Sequence, residues 1–94
     1  MTDQPTSSQT DALFTAILSL ETLDDCRAFF RDLCTLSELD AMTERLEVAR
    51  LVQQNVPYRT ISQQTGSSTA TITRVAHWLH HGMGGYARVL GQSA

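Results

Sequence analysis

Ninety-four residues and 10.4 kDa leave room for one small domain, whose modest core gains from burying surface against a second copy. The chain is 41% apolar and 18% charged, and no apolar run approaches the roughly eighteen residues of a membrane helix. Its polar, acidic start lacks the basic region of a secretion leader, which predicts a cytoplasmic protein. The net charge of −3 is unevenly placed. Residues 1–44 hold nine acids against Arg27 and Arg31, for −7, whereas residues 45–94 hold Arg45, Arg50, Arg59, Arg74 and Arg88 against Glu47, for +4. A net-negative chain with a basic half can still present a positive face to phosphates. Every side-chain cation is Arg, whose planar fork suits phosphate and guanine but equally suits carboxylates.

Residues 1–10 are polar, contain Pro5 and show no apolar period, so they read as a disordered arm preceding a single helical domain over residues 11–94. Asp11 is placed to cap a helix whose Leu13, Phe14, Ile17 and Leu18 share a face, ending near Glu21. Thr22, with Asp25 three residues on, makes a capping box before an apolar stripe of Leu23, Cys26, Phe29, Phe30, Leu33 and Cys34. The two cysteines within that stripe suit buried, reduced thiols better than a disulfide or a metal pair. Ser37 and Asp40 open the longest helix, with Leu39, Met42, Leu46, Ala49 and Val52 facing inward as far as about Gln54. Asn55-Val56-Pro57 breaks it. No alternating strand pattern appears, so the fold is expected to be all-α.

Residues 57–79, PYRTISQQTGSSTATITRVAHWL, meet the requirements of a helix-turn-helix. Gly66 supplies a left-handed pivot; Ile61, Ile72 and Val75 form the small shared core; Ser62 is small where the helices approach. Ser67 or Ser68 caps the second helix. That leaves Ser68, Thr69, Ala70, Thr73 and Arg74 on or near the face turned away from Ile72, Val75, Ala76 and Leu79, where hydroxyls and a guanidinium can reach a DNA groove. An ordinary αα-hairpin with a polar solvent face fits the same spacing. A last helix from about Tyr86 to Leu90, after the Gly82-Met83-Gly84-Gly85 stop, is expected to fold Tyr86, Val89 and Leu90 onto the core.

The run Ala70-Thr71-Ile72-Thr73-Arg74 resembles the recognition-helix start of the tryptophan repressor family. The stretches AILSL, CRAFFRDLCTLSEL, ERLEVARLV, YRTIS and TGSSTATITRV are similar to the YerC/YecD type of Trp-repressor-related proteins over about residues 12–90. The resemblance implies a bacterial DNA-binding domain with a Trp-repressor-like fold, an intertwined homodimer whose interface takes in Leu13, Phe14, Ile17, Phe29, Phe30 and Leu33. It implies DNA contacts from Arg59, Ser67, Ser68, Thr69, Ala70, Thr71, Thr73 and Arg74, with double-stranded DNA and a second copy as partners and association with the nucleoid. The family's tryptophan pocket maps onto Arg45, Arg74, Val75 and Trp78. Here Val75 replaces a glycine that makes room for the indole, and Trp78 replaces a serine that meets the ligand's amino group. Both changes add bulk, so a vestigial pocket without tryptophan is expected, with the Trp78 ring filling the vacated space.

His77 and His81 share zinc-binding spacing and His80 adjoins them, yet no acidic or thiol ligand is near, so they read as solvated or phosphate-facing. Neither a nucleophile with a base, a carboxylate pair nor a cofactor loop is present, so no enzyme and no cofactor are expected. The rival to a DNA-binding regulator is a dimeric helical module that binds protein instead.

Overall fold

The structure, a computed structural model, describes residues 7–91. Of the expected N-terminal arm, residues 1–6 lie outside the described residues. Six helices follow in order: α1 (Ser8–Leu18), α2 (Leu23–Leu33), α3 (Leu36–Gln53), α4 (Tyr58–Thr65), α5 (Thr69–His81) and α6 (Gly85–Leu90). No strand occurs among the described residues. The described residues fall into two compact units, one running to Leu36 and the other starting at Ser37.

In the first unit α1 starts ahead of Asp11, because Ser7 reaches the orphan donors first: its Oγ accepts from the Thr10 N–H at 3.1 Å. Asp11 sits inside the first turn, where its charge opposes the positive end of the helix dipole. The helix stops at Leu18 rather than near Glu21, since the Ser19 hydroxyl turns back to the Ala16 carbonyl at 2.6 Å. The capping box of α2 forms as its spacing predicts: Asp25 N–H donates to Thr22 Oγ1 at 3.0 Å and Thr22 N–H to Asp25 Oδ2 at 3.3 Å. Phe29 and Phe30 meet edge to face at 5.6 Å. No side chain of α1 or α2 is buried, and Phe14 remains 53% exposed. The free thiols of Cys26 and Cys34 are accordingly half-buried rather than enclosed, since one face of two short helices cannot close over its own stripe.

In the second unit α3 begins at Leu36, so Ser37 lies within the first turn and does not act as the cap. Ala49 and Val52 are buried as the stripe predicts, but so are Val48 and Leu51, while Leu46 stays 42% exposed. The C-terminal half of α3 is therefore apolar on a wider arc than one stripe, and it shares a single core with Ile61, Ile72, Val75 and Ala76. Asn55 takes a left-handed conformation (φ 62°) after α3, with its N–H bonded to Val52 O and that of Val56 to Leu51 O. In α6, Tyr86 and Leu90 pack on the core at i, i+4 spacing, whereas Val89 is 71% exposed. The 100° step of a helix turns Val89 off the face those two share, which corrects the expectation that all three fold inward. Gly82 ends α5 where a Cβ would stand 2.4 Å from the Trp78 carbonyl oxygen, so the chain needs glycine there to turn toward α6. Gln53 Nε2 donates to Gly91 O at 2.7 Å, tying the end of α6 to α3.

Candidate nucleic-acid interface

Helices α4 and α5 meet at a turn that the local sequence dictates. Gly66 caps α4 at φ 77°, a conformation costly for any residue with a Cβ, and its N–H closes on Ser62 O at 2.9 Å. Ser68 caps α5, accepting from the Thr71 N–H at 3.1 Å, and its hydroxyl also meets that of Thr71 at 3.1 Å. Ile61 and Ile72 are fully buried and Val75 nearly so. Fixing that apolar edge inward leaves the opposite face of α5 outward: Ser68, Thr69, Ala70, Thr73 and Arg74 are exposed, and Thr71 is half-buried. Arg59 is exposed on α4. Among the described residues neither Arg59 nor Arg74 forms an ion pair. Arg50 does: its Nε donates to Glu47 Oε1 at 3.0 Å, and this hydrogen bond with the adjoining positive charge holds the Glu47 carboxyl below the usual carboxylate range.

Ser67 departs from expectation. It is 2% exposed, and its hydroxyl donates to Glu44 Oε2 on α3 at 2.6 Å, so its side chain is turned inward while those of Ser68 and Thr69 are exposed. The turn from Gly66 to the cap directs residue 67 inward and residue 68 outward. Two adjacent serines in sequence carry no mark of that division. Glu44 was not singled out by the sequence, where it is one polar position beside an apolar stripe. Its partner lies 23 residues away, beyond any local pattern.

The residues of the expected vestigial pocket differ in their surroundings within the single chain. Val75 is a core side chain at 2% exposure, while Arg45 and Arg74 are both exposed. Trp78 is 55% exposed and lines an apolar cleft of about 520 Å³ with Leu46, Met83, Tyr86 and Val89, to which neither arginine contributes. The inward face of α5 runs through Ile72, Val75, Ala76 and Leu79, which leaves Trp78 at the edge of the stripe. Val75, rather than the indole, takes up the interior. His77 packs edge-on against Trp78 at 5.1 Å and lies 5.2 Å from His81; all three histidines are exposed. No group of three potential metal ligands occurs among the described residues.

A model of the Trp repressor protein family matches residues 8–94. The chain belongs to the Trp repressor family. It is 43% identical over 88 residues to the uncharacterized protein YerC of Bacillus subtilis (strain 168), a match spanning 94% of this chain and 85% of that one. The crystal structure of a TrpR-like protein from Eubacterium eligens ATCC 27750 superposes with a TM-score of 0.87 at 43% identity, covering 89% of this chain and 87% of that one. A second solved structure, from Staphylococcus aureus, gives a TM-score of 0.85 at 44% identity over 89% of this chain and 84% of that one. The Trp-repressor-like all-α fold expected from the sequence is thus the fold of its relatives, and this member of a non-catalytic family is not an enzyme.

Proposed function

We propose that the chain is a sequence-specific DNA-binding transcriptional regulator, acting as a homodimer through the helix-turn-helix of residues 57–79 and without tryptophan as co-repressor. The observation that carries this reading is the division of α5: Ile72 and Val75 buried against Ile61, with Ser68, Thr69, Ala70, Thr73 and Arg74 turned out together. The N-terminus of such a helix brings hydroxyls, backbone N–H groups and the dipole to phosphates, and Arg74 to a phosphate or base edge. Arg59 and Thr71 complete the contact set, and Ser67 leaves it. Pairing is supported by α1 and α2, whose Leu13, Phe14 and Leu33 are exposed and whose Ile17, Phe29 and Phe30 are half-buried. A two-fold dimer would carry its recognition helices about 34 Å apart, matching successive major grooves of a palindromic site. In this reading the protein works in the cytoplasm on the nucleoid; no helix among the described residues is long and apolar enough to cross a membrane.

Selection of genomic fragments by the purified protein, followed by titration at several salt concentrations, tests the reading and names the site. Specific binding that weakens steeply with salt is expected. Capture of no duplex above background, or binding to a protein partner with little salt dependence, would favour the protein-interaction module.

Tryptophan is expected to have no effect. Val75 occupies core volume, and opening it for an indole would cost about 1–3 kcal/mol in displaced packing. Titration with the free amino acid should leave thermal stability and DNA affinity unchanged; saturable stabilisation at micromolar concentration would overturn this.

A further inference from the structure

We infer that Glu44 is a positioning residue for the reading head: acting through Ser67, it holds the turn between α4 and α5 in the pose that presents α5, a task that then needs no small ligand. This rests on the DNA-binding reading above.

Ser67 is gripped at all three of its polar atoms. Its hydroxyl donates to Glu44 Oε2 at 2.6 Å, its carbonyl accepts from the Ser62 hydroxyl at 2.8 Å, and its N–H donates to Thr65 Oγ1 at 3.1 Å. Thr65 is itself anchored, donating to Ile61 O at 2.7 Å. The bonds from Ser62 and Thr65 are internal to the turn and would travel with it. The bond from Glu44 comes from α3, the helix that supplies Val48, Ala49, Leu51 and Val52 to the core, and so references the turn to the body of this unit.

The neighbouring residues explain why such a reference matters. On one side of Ser67 is Gly66, left-handed and with open space where a Cβ would stand, so no side chain of its own braces the pivot. On the other side is Ser68, the N-cap of α5. A rotation at residue 67 is therefore passed directly to the aim of α5. Apolar contacts at Ile61 and Ile72 resist separation of the two helices but are non-directional. A short, charge-assisted hydrogen bond to a buried hydroxyl is directional, and breaking it leaves that hydroxyl unsatisfied.

Charge supplies a second argument. Glu44 lines an open cleft of about 270 Å³ together with Asp40 and Glu47, beside the turn that faces phosphates in this reading. A carboxylate there opposes DNA electrostatically. Its hydrogen-bonding role and its charge then pull in opposite directions, and substitution separates them. Glu44→Gln keeps an oxygen acceptor for the Ser67 hydroxyl and removes the charge; Glu44→Ala removes both.

The test uses full-length protein carrying Glu44→Ala, Glu44→Gln, Ser67→Ala and the Glu44→Ala/Ser67→Ala pair. Two readouts are taken: affinity for the selected duplex, and amide hydrogen exchange at residues 67–71 in the free protein. Both Glu44→Ala and Ser67→Ala should speed exchange at the turn about tenfold; Ser67→Ala should weaken DNA binding about tenfold with the salt slope unchanged, and Glu44→Ala should weaken it less, because it also removes the opposing charge. The double variant should be no worse than either single one, as two ends of one bond require. Glu44→Gln should keep slow exchange and bind at least as tightly as the parent. Additive losses, a Gln variant as impaired as Ala, or unaltered exchange at the turn would each overturn the inference. Failure of the parent to bind any duplex would remove the regulator reading, and the exchange measurements on the four variants would still decide whether Glu44 fixes the turn.

Discussion

Arg74→Ala is expected to lower affinity for the selected duplex by about 5- to 100-fold while leaving helix content and pairing intact. The guanidinium is exposed on the outward face of α5 and forms no ion pair among the described residues, so removing it leaves no buried charge stranded. The salt dependence identifies its target. If Arg74 neutralises a phosphate, the slope of log affinity against log salt falls by about one and binding weakens on every sequence alike. If it reads a base edge, the slope holds and preference relaxes at one position. Unchanged affinity in a salt-controlled titration would remove Arg74 from the interface.

Ile61→Ala is expected to destabilise the second unit by about 2–5 kcal/mol, measured as a lower denaturant midpoint, with DNA binding lost before the fold. Ile61 is fully buried against Ile72 and Val75, so truncation removes transfer energy and leaves a cavity at the joint of the two helices. Because α4 has only eight residues and its N-cap Pro57 makes no side-chain cap bond, it depends on this packing. Val89→Ala is the matched control: with that side chain 71% exposed, its effect should stay within about 0.5 kcal/mol. Similar losses from both substitutions would mean that the core does not centre on Ile61.

What was legible in the sequence was what neighbours in the chain decide. Gly66 between Ile61 and Ile72, the Thr22–Asp25 box and the break at Asn55-Val56-Pro57 each follow from sterics or capping within a few residues, and each stands in the structure. Choices between equivalent local options were not legible. Ser7 outcompeted Asp11 as the first cap, and Ser68 rather than Ser67 capped α5, because side chains of similar capping propensity lie within a turn of one another. Features set by packing at a distance were hidden as well: the burial of Val48 and Leu51, the edge position of Trp78, and the reach of Glu44 to Ser67. Periodicity finds one stripe on a helix, and α3 buries more than one.

The absence of any buried side chain in α1 or α2 bears on how such a regulator would respond in a cell. Helices of eleven residues are marginal in water by themselves, so in the proposed homodimer their ordering and the meeting of two copies would become one event. Dilution would then melt the N-terminal segment and disarm the protein together, and the number of copies the cell makes would set the occupancy of its operators.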